Sequence, residues 1–398
     1  MKKYNIVWIL IDSARNFETD VDDRGLPRSV YEFSKDAYFF KNTVTSAPST
    51  MMSVSCMMTS THSYLLSRTY DNFPGITKEF VAFPQLLKKE GYNIYGAIFF
   101  KHGREVFSSI FGDLDKRLFP KGIKHRQDIW SNHENYQVYE KIMEENDWSK
   151  PTFAYLHYNV RRDDEISKII SDSIAQIKKA GVEDNTIVVI NSDHGYPMPI
   201  REWDPVKAKK SGWGHDMLLY NDNILTPLVI KVPGVEPKVF EEYVSSIDIV
   251  PTLCGIMGIE PQEKFMGIDI LNSSADLENR LKRVDNRYVG QLPSGTAIIY
   301  GRDKLIVNLE KNGQRDLELF DLISDPLEEK NLINDPSAIE MKERMLKKYE
   351  ESEGSFIQFH KDFLSKKWEI LTKPYKNQNL SIGLLTQTAP KFEQAILE

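Results

Sequence analysis

The chain has 398 residues, 41% hydrophobic and 27% charged, with a net charge of -7. That length exceeds what one small core supports, so a large domain with a smaller companion is expected, and the composition excludes disordered, collagenous and coiled-coil classes. The acidic balance argues against an extended footprint on a phosphate backbone, so no nucleic-acid partner is expected, while a local basic pocket for a small anion stays compatible with it.

The opening MKKYNIVWILID imitates a secretory leader, but its apolar run is only about eight residues and closes on Asp12 without a small-residue cleavage site. It reads as a buried first strand. No stretch approaches the roughly 20 apolar residues that span a bilayer. Cys56 and Cys254 form no disulfide framework and suit a reducing compartment. A cytoplasmic protein without a membrane span is therefore predicted.

Short, continuous, β-branched runs mark buried parallel strands at Tyr4–Ile11, Ile94–Phe100, Phe153–His157, Thr186–Asn191 and Pro227–Val232. Helices are predicted between them at Phe83–Glu90, with Pro84 in the first turn, and at Glu165–Ala180, each followed by a glycine C-cap, Gly91 and Gly181. Strands alternating with helices predict an α/β fold with a doubly wound, mostly parallel central sheet. After Leu271 the pattern changes to short strands at Arg287–Gly290, Thr296–Tyr300, Lys304–Leu309 and Leu317–Asp321, then a charged helix. This predicts a smaller C-terminal antiparallel subdomain. The expected division is a catalytic domain over residues 1–271, the subdomain with its helix over 272–356, and a tail over 357–398. Phe359, Phe363, Trp368 and Tyr375 in that tail are expected to pack on the body.

Carboxylates at the C-terminal ends of parallel strands converge on the crevice where open α/β sheets bind ligands. Asp12 follows NIVWILI, Asp193 follows TIVVINS, and His194 comes directly after. Two oxygen ligands and one nitrogen ligand can thus meet at one cation. Each aspartate alone is more readily explained as a helix cap; the three together read as a metal site.

NIVWILIDSAR resembles the opening strand of sulfatase-like hydrolases of the alkaline phosphatase superfamily, and NSDHG resembles their second metal-binding strand end. GHDMLLYNDNILTPLVIKVPG is similar to the family segment that brings a substrate or metal histidine and then a strand before a Pro-Gly turn. SSIDIVPTLCGIMGI resembles the helix after it, and ELFDLISDPLEEKNL the C-terminal subdomain motif, so the resemblance runs in the family's order from residue 4 to 332. It implies an alkaline phosphatase-like fold and metal-dependent hydrolysis of a phosphate or sulfate ester.

Sulfatases proper carry Cys or Ser in a C/S-x-P-S-R stretch that is oxidised to formylglycine, with a Leu-Leu-Thr-Gly-like helix end behind it. Laying Met57-Met58-Thr59-Ser60 on that end places Thr50 at the nucleophile and Ser53 on the family serine, with Met52 and Val54 where proline and arginine would stand. A competing frame, Ser46-Ala47-Pro48-Ser49, displaces the helix end. Cys56 lacks the needed neighbours and reads as a small buried hydrophobe, so formylglycine is not expected. A threonine hydroxyl is a poor nucleophile unless a cation or base helps it lose its proton, and Thr50 is expected to join the metal ligands and to attack. The plain alternative, a helix N-cap, uses the same geometry, because amide donors at a helix N-terminus attract an anion.

In resembling families with threonine rather than formylglycine the chemistry is usually on phosphate esters, which favours a phosphoester substrate here. The alternatives are a genuine sulfuric ester hydrolase and a catalytically inactive anion- or glycan-binding protein on the same fold. His215, in Trp213-Gly214-His215-Asp216, aligns with the family histidine at the leaving group, the transferred anion or a second metal, and is expected to be catalytic. LHYNVRRDDE lacks the family's Asp-Pro-His turn, which leaves a second metal open.

His157 and Arg162 are expected substrate contacts, Arg161 being the alternative to Arg162, since guanidinium forks suit phosphate and sulfate oxygens. Lys101 and His102 follow IYGAIFF, near where sulfatases place a Lys and a His against the sulfate. Ser13 takes the place of the second aspartate of many members, and Arg15 is expected to support the metal carboxylates from behind. The implied cofactor is one divalent ion, Ca, Mg, Mn or Zn. The implied partner is a small-molecule, glycan-linked or lipid-linked anionic ester.

Overall fold

The computed structural model describes residues 3–16, 24–66, 76, 80–98, 110, 132–159, 163–198, 201, 217–286, 294–309 and 315–354. Every residue of Asn5–Asp12 (β1) is buried, as a strand flanked by strands on both edges and helices on both faces requires. Its side chains divide by parity. Ile6, Trp8 and Leu10 enter one apolar cluster, and Val7, Ile9 and Ile11 enter another, because successive strand residues point to opposite faces.

The central sheet adds β2 (Tyr38–Val44), β3 (Asn93–Ile98), β4 (Thr152–Asn159), β5 (Thr186–Asn191), β6 (Leu225–Lys231) and β7 (Lys238–Ser245), in the order β3-β4-β1-β5-β6-β2-β7. The pairs β3/β4, β4/β1, β1/β5 and β2/β7 are parallel. β6 is antiparallel to both β5 and β2, so the strand expected over Pro227–Val232 forms but runs opposite to expectation. Two strands are additional. β2 is broken by a register shift after Phe40. β7 forms an edge whose outward positions carry Lys238, Glu241 and Glu242, charges that discourage edge-to-edge pairing.

The described helices are α1 (Arg28–Ser34), α2 (Thr50–Thr59), α3 (Phe83–Lys89), α4 (Asn132–Glu145), α5 (Asp163–Lys179), α6 (Ile249–Met257) and α7 (339–354), with shorter turns between them. Val54, Met57 and Met58 of α2, Phe83 of α3 and Ile249 and Leu253 of α6 cover the Trp8 face. Val30 of α1, Tyr139 and Met143 of α4 and Ile166 and Ile170 of α5 cover the other. Helices on both faces make the sheet doubly wound. Trp8 is fully buried, meets Phe83 and Phe153 edge-on at 6.4 Å, and donates its indole N–H to Asn191 Oδ1 at 2.7 Å. Burying each such large side chain contributes about 1.5–3 kcal/mol.

The second sheet is antiparallel, in the order β11-β10-β9-β8, from β8 (Lys282–Asp285), β9 (Ser294–Tyr300), β10 (Asp303–Leu309) and β11 (Arg315–Asp321). Ile298, Leu305 and Leu319 pack under Met345 and Tyr349 of α7, while Ala297, Ile299 and Ile306 face Val44, Ile224 and Leu225 of the main body. The strand expected at Arg287–Gly290 and the tail 357–398 lie outside the described residues; the first strand of this sheet is β8, just before the former. Among the described residues no helix is long and apolar enough to cross a membrane.

Candidate metal and nucleophile site

Because β1 and β5 are neighbours, their C-terminal ends set Asp12 and Asp193 side by side. Ser13 joins them: its amide donates to Asp193 Oδ1 at 3.1 Å and its hydroxyl donates to Asp12 Oδ1. It does so in the left-handed region, at φ 62°. That conformation costs an L side chain on the order of 1–3 kcal/mol. The serine in the second aspartate's place thus works as a tie between the two carboxylates.

Asp193 is fully buried. Its Oδ1 also accepts the His194 amide at 2.9 Å, while its Oδ2 has no hydrogen-bond partner. The His194 ring stands with Nδ1 2.7 Å from the Gly195 carbonyl oxygen. A carbonyl only accepts, so Nδ1 carries the proton and Nε2 faces Thr50 Oγ1 at 3.2 Å. Thr50 Oγ1 lies 3.5 Å from Asp12 Oδ2. Ser49, in extended conformation, holds the N-cap position of α2, and Thr50 is the first helical residue; the capping alternative therefore falls on Ser49.

The helix is fastened to the loop of Asp193 and His194 by hydroxyls that sequence reasoning did not place in the site. Thr45 Oγ1 and Ser53 Oγ stand 2.6 and 2.7 Å from the carbonyl oxygen of Asp193 and 2.8 Å from each other. Ser53 is legible only as the family serine. Thr45, one residue past β2, gives no signal at all.

His157 sits on β4 beside Leu10 of β1. Its side chain is fully buried, with Nε2 3.8 Å from Asp12 Oδ2 and Nδ1 3.3 Å from the Tyr155 hydroxyl. It reaches Asp12 from the protein interior. Arg15, also fully buried, donates from Nε to the Tyr196 carbonyl at 2.7 Å and from Nη2 to the Pro197 carbonyl at 3.5 Å, gripping the segment that follows His194. Lys101, His102, Arg161, Arg162 and His215 lie outside the described residues.

Burial raises both carboxyl pKa values, and their neighbours then split them. In Asp12 burial is outweighed by the neighbouring His157 and His194 imidazoles and the Ser13 hydroxyl, so its pKa falls well below the usual carboxylate range. In Asp193 burial prevails over His194, and the Asp12 charge adds to it, so its pKa is raised. Two buried like charges resist joint ionisation unless a cation joins them. Ligand atoms of Asp12, Asp193 and His194 all lie within 4.8 Å of one another. This oxygen and nitrogen donor set, with the partnerless Asp193 Oδ2, fits one divalent ion.

A mostly parallel seven-stranded sheet with this cluster at its strand ends, beside a four-stranded antiparallel sheet, defines an alkaline phosphatase-like fold. The family profile described as Sulfatase matches residues 4–160 and 163–259, and the chain belongs to that family, whose members are hydrolases. It is 23% identical over 284 residues to the ulvan-active sulfatase of Formosa agariphila, covering 58% of this chain and 45% of that protein. It is 30% identical over 114 residues to lipoteichoic acid synthase 1 of Bacillus subtilis, 28% of this chain and 17% of that protein. Among solved structures, the phosphonate monoester hydrolase of Agrobacterium radiobacter superposes with a TM-score of 0.66 at 12% identity, over 89% of this chain and 96% of that one. Such identity carries the fold alone. The chain spans less than half the length of these curated relatives.

Proposed function

We propose that the chain is a metal-dependent ester hydrolase that cleaves, or transfers from, a phosphate or sulfate ester, phosphate favoured, through Thr50. The observation that carries this reading is Thr50 Oγ1 at the start of α2, 3.2 Å from His194 Nε2 and 3.5 Å from Asp12 Oδ2. A divalent ion held by Asp12, Asp193, His194 and Thr50 would lower the threonine's pKa and screen the anion's oxygens.

Thr50 Oγ1, its proton released to solvent, attacks phosphorus in line. The Oγ1–P bond forms as the bond to the leaving oxygen breaks, and the amide donors at the N-terminus of α2 receive the phosphoryl oxygens. His215 gives a proton to the leaving alkoxide. Water then attacks the threonyl phosphate and the Oγ1–P bond breaks; His215 takes the proton of the attacking water and Thr50 Oγ1 takes a proton back from solvent, while an alcohol in place of water gives transfer. Lys101, His102 and Arg162 are assigned to the anion, and His157 to holding Asp12.

The substrate class is a small-molecule, glycan-linked or lipid-linked anionic ester. Similarity to proteins named for ulvan and lipoteichoic acid supports that breadth. Sulfate remains the second reading, because the family is the sulfatases. Residues 1–271 are proposed as the catalytic domain, 272–356 as its supporting subdomain and 357–398 as a tail packed on the body. A cytoplasmic location is proposed from the two buried free cysteines.

The test is turnover of aryl phosphate mono- and diesters and aryl sulfates with added Mn²⁺, Zn²⁺, Mg²⁺ or Ca²⁺, comparing wild type with Thr50→Ala. Phosphate-ester turnover should fall by roughly three orders of magnitude or more. Sulfate turnover that survives Thr50→Ala, with a formylglycine mass at residue 46 or 56, would overturn the threonine assignment. Neither bound metal nor turnover of any ester would point to an anion-binding protein instead.

A further inference from the structure

We propose that the antiparallel sheet holds the metal-ligand loop through a buried ion network, in which Lys304 and Glu328 are positioning residues for His194. The inference rests on reading Asp12, Asp193 and His194 as the cation site.

Lys304 of β10 is fully buried, and Glu328, in the turn after β11, nearly so. Lys304 Nζ lies 2.5 Å from Glu328 Oε1. Both partners also grip Asn221, the first residue of the helical turn before β6. Lys304 donates to Asn221 Oδ1 at 3.0 Å, and Glu328 Oε2 accepts the Asn221 amide at 2.5 Å. Arg201 closes the network: Nε donates to Asp222 Oδ2 at 2.9 Å, and Nη1 and Nη2 donate to the carbonyls of Glu328 and Leu327 at 3.2 and 2.5 Å.

The turn gripped in this way is the one that fixes the metal loop. The Asn223 carbonyl accepts the Gly195 amide at 2.9 Å, and the Asp222 carbonyl accepts the Tyr196 amide at 2.8 Å. Gly195 lies so close that a Cβ there would collide with the Asp222 carbonyl oxygen. The Gly195 carbonyl in turn receives His194 Nδ1, which fixes the ring's tautomer and direction. From the same turn the Ile224 carbonyl accepts the Thr45 amide at 2.9 Å, and Thr45 holds the Asp193 carbonyl. Asp193 and His194 therefore both take their backbone placement from a turn anchored in the second sheet.

A buried ion pair is weak evidence for stability, because desolvation offsets most of its attraction, and an apolar pair of similar volume often does as well. What such a pair supplies is one defined geometry. Four charged groups placed where two sheets meet, around the turn whose carbonyls bond the residues after His194, fit that role. Loss of outer partners of a ligating histidine typically weakens metal binding 10–100-fold.

The experiment is Mn²⁺ and Zn²⁺ affinity by equilibrium dialysis for wild type, Lys304→Met, Glu328→Gln and the double variant Lys304→Met/Glu328→Met, alongside metal-free Tm and the His194 Nδ1–H tautomer by ¹⁵N NMR. The single variants should lose Tm and bind metal about 10–100-fold more weakly. The double variant, which restores apolar packing, should recover Tm but not affinity. Affinity that recovers with Tm, or wild-type affinity in folded variants, overturns the inference. If the wild type binds neither ion, the cation-site reading fails separately. The NMR arm then decides alone: an unchanged His194 tautomer in the folded double variant refutes the positioning role.

Discussion

Two buried polar clusters lie a few residues apart in this protein, and their charges are arranged in opposite ways. Around Asn221, Asp222 and Glu328 are matched by Arg201 and Lys304 at 2.9 and 2.5 Å. At the strand ends, Asp12 and Asp193 lie side by side, and their described partners are imidazoles, hydroxyls and backbone amides rather than a lysine or an arginine. Equal burial therefore does not imply an equal role. A cluster with a cation for each carboxylate can serve as an anchor, whereas two buried carboxylates without one resist joint ionisation until positive charge joins them.

The comparison breaks most directly under the same isosteric change made in both clusters. Asp222→Asn leaves Arg201 buried with a weakened partner and should cost about 3–5 kcal/mol. Asp193→Asn removes one of two like charges. In metal-free protein it should cost little or even raise Tm, while Mn²⁺ affinity falls by about 100-fold or more. Calorimetry in the presence of EDTA reads the first effect and dialysis the second. Equal losses of Tm in the two variants would mean that the strand-end carboxylates are not in excess.

A third cluster sharpens the comparison by size. His62 lies near Arg283 and Asp285, where Arg283 already pairs bidentately with Asp285 at 2.8 and 2.9 Å and with Glu353 at 2.8 Å. Burial, reinforced by Arg283 and Arg280 against Asp285, pushes the His62 pKa down from 6.5 to about 4. In the unfolded chain His62 takes up its proton near 6.5, in the native protein only near 4. Between those values the unfolded state binds more protons, so stability falls as pH drops through the window. His62→Gln should reduce the loss of urea midpoint between pH 7 and pH 4.5 by the equivalent of roughly 1–2 kcal/mol. Parallel wild-type and variant curves would show that His62 is not held neutral.

How much of this was legible in the sequence follows from where the information sits. β1 and β5 are continuous apolar runs that end in Asp12 and Ser192-Asp193-His194, so strand, strand end and candidate ligand are read together. The direction of β6 was not legible, because buried strands of either sense carry the same apolar run. β2 and β7 escaped because Lys41, Glu241 and Glu242 interrupt them, a pattern imposed by edge position and a bulge rather than by a core. The anchoring turn is the least legible part. Asp222 and Asn223 act on Tyr196 and Gly195 through backbone carbonyls, which no residue type advertises. Thr45 was silent for a related reason: its side chain binds a main-chain carbonyl.

That carbonyl is the subject of the finest distinction between the clusters. The ion network fixes its turn with full charges, whereas α2 is fixed to the Asp193 loop by two neutral hydroxyls, Thr45 and Ser53, that converge on the Asp193 oxygen and on each other. A neutral hydrogen bond contributes about 0.5–1.5 kcal/mol net, and each hydroxyl leaves the other in place when it is removed. Thr45→Val and Ser53→Ala should therefore each cost under about 1 kcal/mol. The double variant strips the carbonyl of both donors and should cost more than their sum, with a coupling of about 0.5–1 kcal/mol in a urea-unfolding cycle. Additive losses would mean that other groups, not this shared oxygen, hold Thr50 against His194.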